Sequence, residues 1–446
     1  MLSPRPAIAF PTLGCRLNQV ESQEMAALVE ARGFRVAAPG EPARVFVVNT
    51  CTVTGRADFS DRQLIRRLRR ENPEALLVVT GCWAQTDPET VAALGGVDLV
   101  LGNQEKYRLP ELIAERLAAA PVPTAPPVHV APIGEARTVP FAPFARVTGR
   151  SRAFVKVQDG CQHRCAFCIV PAARGGSRSQ DPKVVLDQVR LLVEAGHGEI
   201  TLTGVDLGHY GWDLVPRTSL AALLALLADM RGLRWLRLSS VLPAYFTPAL
   251  VEAVTGLPMI APHLHIPLQS GSDRVLRRMR RPYNVRLYRA LVERLATAIP
   301  ELGLGADVIV GHPGEEETDF DATMDLVRAL PFSYLHVFAY SDRKGTEAAR
   351  LGGRVPSAAI RRRGAALRAL AAEKHLAFRR RLLGQTREVL VLDAPDRATG
   401  RRVGLTASYV EVRFPGPTEL GRRFVPVTIT ECAPDATWGV LEAVPA

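Results

Sequence analysis

The chain has 446 residues, 47% of them hydrophobic, enough for two or three domains with separate cores. No apolar run spans a bilayer, and Met1 to Phe10 is broken by Pro4, Pro6 and then Pro11, so neither a membrane span nor a secretory signal is expected. A net charge of +11 favours a polyanionic partner, nucleic acid first, and seven cysteines exclude a full set of disulfides within one chain.

Residues 1–118 alternate apolar runs with helical patterns. The runs are Ala7–Phe10, Val45–Val48, Leu76–Val79 and Val97–Leu101. Amphipathic stretches lie between them, one with Met25, Leu28 and Val29 and another with Leu64, Ile65 and Leu68. Strands that alternate with helices predict an α/β fold with a doubly wound parallel sheet.

Residues 119–146 are predicted to be a Pro-rich linker, with seven prolines between 119 and 144. From 147 to 380 the alternation resumes. Strands are expected at Ala153–Gln158, Ile200–Thr203, Trp235–Ser239, Leu264–Pro267, Leu304–Val310 and Tyr334–Ala339, with helices such as Pro182–Ala195, Ser219–Met230 and Glu315–Leu330. Six β/α units predict a full or partial barrel, with its chemistry at the carboxyl ends of the strands. A basic helix is expected over Arg361–Arg381. The tail, 381–446, has short β-branched runs between Gly and Pro and predicts a small all-β barrel. Arginine is grouped at Arg62, Arg66, Arg67, Arg69 and Arg70, at Arg274, Arg277, Arg278, Arg280 and Arg281, at Arg361–Arg363 and at Arg379–Arg381.

Cys161, Cys165 and Cys168 form a C-x-x-x-C-x-x-C run directly after the first strand of the central region. Three thiolates hold three corners of a 4Fe–4S cubane, and the fourth iron stays open to an exogenous ligand. S-adenosylmethionine (SAM) suits that corner, because its amino and carboxylate groups chelate iron. The alternative is a closed zinc site with His163 as fourth ligand. No second ligand pair appears between Cys168 and His197 to support it.

Cys15, Cys51 and Cys82 are far apart, yet each follows an apolar run: A-I-A-F-P-T-L-G-C, V-F-V-V-N-T-C and L-L-V-V-T-G-C. In a parallel sheet these strand ends point the same way. The trio is expected to hold a second cluster with an open iron; three ordinary core thiols are the alternative. Cys432 is expected to be structural. Further candidates face the ligand site: Phe167 beside the third cysteine of the run, Thr203, Gly204 and Ser239 at strand ends, Gln269 in H-I-P-L-Q-S-G-S, and Gly311 in the G-H-P-G turn after strand five. No catalytic acid–base residue is assigned, and no Ser-His-Asp set or phosphate loop competes.

With these motifs the chain resembles the methylthiotransferases of the radical SAM superfamily over nearly its whole length. The carriers are T-L-G-C-R-L-N-Q-V-E-S, N-T-C-T-V-T, V-T-G-C-W-A-Q, D-G-C-Q-H-R-C-A-F-C-I-V-P-A-A-R-G, H-I-P-L-Q-S-G-S and V-I-V-G-H-P-G-E. The tail resembles a TRAM domain. Within the family the first two cysteine segments are most similar to the branch that modifies threonylcarbamoyladenosine at tRNA position 37. Departures stand at Gln162 and Ala166, where relatives commonly carry Asn and Thr, and at His312, where Phe is usual.

The resemblance implies domains at 1–118 (auxiliary cluster), 147–380 (radical SAM core) and 381–446 (TRAM). It implies two 4Fe–4S clusters and SAM, which is cleaved to methionine and a 5′-deoxyadenosyl radical. It further implies methylthiolation at C2 of the base, with the anticodon stem-loop of tRNA as partner and flavodoxin or ferredoxin as electron donor, in the cytoplasm and away from the membrane. Two other readings stay open: methylthiolation of isopentenyladenosine tRNA or of a ribosomal-protein aspartate, and a non-enzymatic zinc-stabilised RNA-binding protein.

Overall fold

The computed structural model describes residues 6–119, 125–145, 147 and 149–442. Parts of the Pro-rich segment and both chain ends therefore lie outside the described residues. The chain forms two compact units. One comprises Met1–Phe144, Lys156–Gln180 and Ser341–Ala349; the other comprises Ala145–Val155, Asp181–Tyr340 and Arg350–Ala446.

The first unit is built on six parallel strands. Their spatial order is Arg35–Val36, Ala7–Ala9, Val45–Thr50, Leu76–Gly81, Leu99–Leu101 and Val128–His129. Side chains alternate across the pleat, so Val45 and Val47 enter one core with Met25, Leu109 and Ile113. Phe46 and Val48 enter the opposite core with Ile65, Leu68 and Trp83. Helices Arg16–Ala31 and Leu109–Ala118 cover the first face, and Gly55–Glu71 covers the second. Burial on both faces explains why the strands are near-continuous apolar runs. The outermost strands, Arg35–Val36 and Val128–His129, have only two residues each and left no apolar run to detect.

In the second unit, two three-stranded sheets are joined edge to edge. Glu199–Thr203 pairs in parallel with Trp235–Leu238, and Gly303–Val310 pairs in parallel with both His263–His265 and Tyr334–Ala339. The Ala261 N–H donates to Leu236 O at 3.0 Å and the Val241 N–H to His265 O at 3.0 Å, which links the two sheets. This is the expected parallel barrel-like wall. The tail closes into a five-stranded barrel of Thr386–Val391, Arg402–Thr406, Glu411–Phe414, Thr437–Leu441 and Phe424–Cys432. Val389, Val412, Phe414, Val427 and Ile429 fill it, and Phe378 from the helix Ser357–Arg380 completes the core. Among the described residues no helix is long and apolar enough to cross a membrane.

The expected arginine surface is only partly present. Arg363 is buried and donates to Glu315 Oε2 at 2.8 Å, and Arg379 is buried with Nη2 donating to Pro434 O at 2.8 Å. Both are structural cations of the second unit.

His312 is fully buried beside Tyr340, and burial lowers its pKa to about 4. As pH falls from the ordinary histidine value of about 6.5 to 4, the unfolded chain takes up a proton that the folded one refuses. Stability should therefore decline across that window by on the order of 3 kcal/mol. Urea midpoints measured against pH should show this limb, and His312→Phe should flatten it; an unchanged limb would assign the acid sensitivity elsewhere.

Candidate functional site

All six clustered cysteines belong to the first unit. Thr50 and Gly81 are register partners on neighbouring strands, so Cys51 and Cys82 leave the sheet side by side. Parallel neighbours stand about 5 Å apart there. Thr12 bridges Asn49, which carries the first strand's extension to the same sheet end and brings Cys15 after it.

Two glycines make the approach possible. Gly14 has φ +100, and a Cβ on it would lie 2.6 Å from Cys51 Cβ and 3.1 Å from Cys51 Sγ. Gly81 has φ 98 and ψ −163, a region essentially closed to other residues, and its Cβ would lie 2.4 Å from Thr50 O.

Cys15 is the exposed N-cap of the helix Arg16–Ala31, and its Sγ is 3.5 Å from Asn18 Oδ1. Cys51 is buried, and its N–H donates to Asp61 Oδ2 at 2.9 Å. Burial, followed by the neighbouring Cys82 and then Cys15, pushes the Cys51 thiol up to about 12. Burial likewise raises the Cys82 thiol, and Arg174 opposes that rise. Cys82 and Cys15 thus both act on Cys51, and Cys15 acts on Cys82, so the three residues lie near one another at this sheet end. One ion pair and one hydrogen bond clamp the loop after Cys51: Arg343 Nη2 donates to Asp58 Oδ2 and to Thr52 Oγ1, both at 2.6 Å.

The second trio sits on a loop fixed at both ends. Gln158–Asp159 pairs antiparallel with Arg178–Ser179, and the Cys161 N–H donates to Gly175 O at 3.0 Å. Gly160 has φ +75, and its Cβ would lie 2.0 Å from Gly176 O. The His163 N–H donates to Cys161 Sγ at 3.4 Å, and the Cys168 N–H to Cys165 O at 3.0 Å. The Ala348 N–H donates to Ala166 O at 2.7 Å, holding the loop from its far side. Phe167 is half-buried on this loop.

Sequence reasoning missed the buried ion network that joins the two trios. Arg174 Nη1 donates to Glu21 Oε1 at 2.8 Å and to Asp159 Oδ1 at 3.0 Å, and its Nη2 donates to Asn18 Oδ1 at 2.9 Å. Glu21 also meets Lys106 Nζ at 2.6 Å, and Lys156 Nζ lies 3.0 Å from Glu24 Oε2. Burial is the largest influence on Glu21 and opposes its ionisation, but Arg174, Lys106 and Lys156 together hold its carboxyl well below the usual range. Burial raises Glu24 despite Lys156. The signals were present: Lys156 interrupts the apolar run A-F-V-K-V, Asp159 stands two residues before Cys161, and Arg174 closes V-P-A-A-R.

The donor set fits two thiolate-held clusters. Three thiols converge in one place and three lie on a pinned loop, and buried cations beside Cys82 offset the negative charge that thiolate ligation brings.

The other candidates lie in the second unit, at strand ends. Thr203 closes the strand Glu199–Thr203 and is buried. The Gly204 N–H donates to Ser239 Oγ at 3.4 Å, so these two meet. Gln269 adopts φ 68, is buried, and its Oε1 has no hydrogen-bond partner among the described residues. A strained residue with an orphaned buried oxygen suits a ligand contact. Gly311 is explained by packing, since a Cβ there would lie 2.4 Å from Ile360 Cγ1. Cys432 donates from Sγ to Arg379 O at 3.3 Å, far in sequence from either trio.

Residues 7–102 match the family described as Uncharacterized protein family UPF0004, and residues 155–327 match the Radical SAM superfamily. The chain is 37% identical to the threonylcarbamoyladenosine tRNA methylthiotransferase MtaB of Bacillus subtilis, over 95% of this chain and 93% of that one. It is also 37% identical to the tRNA-2-methylthio-N(6)-dimethylallyladenosine synthase of Mycobacterium bovis, over 97% of this chain and 86% of that one. Among solved structures it is similar in fold to the radical SAM methyltransferase TsrM from Kitasatospora setae, with a TM-score of 0.55 at 16% identity, covering 77% of each chain.

Two variants test the site. Cys51→Ala, reconstituted anaerobically, should hold about one cluster's iron less than the unaltered chain; equal iron would mark Cys51 as a plain core thiol. Gly81→Ala should lower the denaturation free energy by at least about 1–3 kcal/mol, read from the urea midpoint, because its backbone is closed to a Cβ.

Proposed function

The chain belongs to the radical SAM methylthiotransferase family, and from that premise we propose that it transfers a methylthio group to C2 of N6-threonylcarbamoyladenosine at tRNA position 37. The single observation that supports this most is the convergence of Cys15, Cys51 and Cys82 at one end of a parallel sheet, in the same compact unit as the Cys161–Cys168 loop. A SAM-cleaving enzyme needs one trio. A second trio suits a reaction that also inserts sulfur.

In this reading Cys161, Cys165 and Cys168 hold the SAM-binding 4Fe–4S cluster, and Cys15, Cys51 and Cys82 hold the auxiliary one. When bound, the clusters and SAM supply the reductive, sulfur-inserting and methyl-donating chemistry. The protein's residues do the rest. Gly14, Gly81 and Gly160 let backbone and thiol approach without a Cβ in the way. Arg174, Lys106 and Lys156 supply buried positive charge. Gln269 has an unpaired oxygen available to orient a ligand, and Thr203, Gly204 and Ser239 offer small or hydroxyl groups at other strand ends. No side chain is assigned as general acid or base, consistent with chemistry carried by cofactors.

The tRNA reading also draws on charge. Arg66, Arg67 and Arg70 are exposed on the helix Gly55–Glu71, and Arg277 and Arg280 are exposed in their group. Phosphate contacts of this kind make binding fall steeply with salt. A single-stranded anticodon loop lets its base leave the stack at low cost. Flavodoxin or ferredoxin is the proposed electron donor, and the cytoplasm the proposed compartment. The relative named for dimethylallyladenosine keeps that tRNA nucleoside as the second substrate reading.

Mass spectrometry of tRNA nucleosides from a deletion strain is the deciding measurement. Loss of the methylthio form of threonylcarbamoyladenosine is expected, with the unmodified precursor accumulating. Loss of the methylthio form of the isopentenyl nucleoside instead would transfer the assignment to that substrate.

A further inference from the structure

Three side chains of the second unit converge and have no part in the reading above. His265 ends the strand His263–His265, Asp307 lies within Gly303–Val310, and His336 lies within Tyr334–Ala339. The register pairs His265 with Gly305 and Asp307 with His336. Side chains two residues apart share a face of a sheet, so all three stand on the same face. One nitrogen or oxygen from each lies within 4.8 Å of the other two. His265 Nε2 is 3.2 Å from Asp307 Oδ1, and the rings of His265 and His336 are stacked with centroids 5.6 Å apart.

We propose that His265, Asp307 and His336 bind one divalent transition-metal ion, of the Zn²⁺ or Fe²⁺ class, on ligands that neither cysteine trio supplies. The donor set is two imidazoles and one carboxylate, which suits these ions and leaves coordination positions open. Ca²⁺ and Mg²⁺ prefer all-oxygen sites. The spacing agrees: ligand atoms about 2.1 Å from one tetrahedral ion stand about 3.4 Å apart, close to the His265–Asp307 distance.

Two further observations are those a metal site requires. The other ring nitrogen of a ligating histidine is normally held by a second group. His265 Nδ1 lies 3.2 Å from Tyr334 Oη, which in turn lies 2.9 Å from His263 Nε2. A metal site also needs an entry path. His336 and Tyr334 line a cavity of about 260 Å³, together with Arg152, Tyr409 and Arg413. A simple His–Asp ion pair would account for His265 and Asp307. It gives no reason for a second imidazole to stand in register against the same carboxylate.

The test uses the full-length protein with both clusters in place. It is dialysed anaerobically against Zn²⁺, then against metal-free buffer, and its zinc and iron are counted. About one zinc per chain should be retained by the unaltered protein. His336→Asn changes an exposed residue and should lose that zinc while keeping the iron count. Asp307→Asn should do the same, and it separates ligand loss from any effect peculiar to position 336. Retention of zinc by both variants, or no zinc on the unaltered chain, overturns the site. Because the readout is metal stoichiometry, it is independent of which nucleoside the enzyme modifies.

Discussion

Arg174 is the contact on which the arrangement of the first unit depends. Its guanidinium binds Glu21 and Asn18 of the helix that Cys15 caps, and Asp159 of the hairpin that opens the Cys161 loop. The helix Cys82–Thr86 packs against Val170–Arg174, so the third auxiliary cysteine is tied to the same point. An arginine buried this deeply is tolerated only because every direction offers an acceptor. Removing one partner of such a set typically costs about 3–5 kcal/mol, since a charge is left without compensation. The same low-dielectric setting strengthens the influence of Arg174 on a nearby thiol, as the opposing pull on Cys82 indicates. Structural cohesion and ligand electrostatics thus rest on one side chain.

Much of the fold was legible because its strands are buried on both faces. Val45–Thr50 and Leu76–Gly81 are six-residue strands that each open with four apolar residues, and the cysteines follow their ends. That Cys51 and Cys82 leave the sheet side by side followed from a topological rule and needed no spacing motif. What escaped was of two kinds. Short edge strands carry too few residues to show a period, as at Arg35–Val36 and Val128–His129. Arg402–Thr406 opens with an arginine after Arg401 and holds a glycine, so this barrel strand carries little apolar signal.

The second kind is long-range. The first unit recruits Lys156–Gln180 and Ser341–Ala349 from distant parts of the chain. Nothing local marks Arg343 as the partner of Asp58, 285 residues earlier. Charge counting failed in the same way: Arg363 and Arg379 belong to exposed-looking arginine groups, yet both are buried, Arg363 against the Glu315 carboxylate and Arg379 against the Pro434 carbonyl. Composition gives the sign of a surface, while only tertiary partners decide which charges remain on it.

In the second unit Arg237 forms a buried pair with Glu199, and its remaining donors reach Ala407 O at 2.6 Å and Thr406 O at 2.9 Å in the terminal barrel. Those two carbonyls take up the donors that Glu199 leaves over on a cation lodged in the parallel wall. The terminal barrel is therefore no appendage that evolution or an engineer could shed or exchange freely. Any replacement would have to present two backbone oxygens at that same spot, or else the wall's own strands would inherit buried guanidinium donors with nothing to accept them.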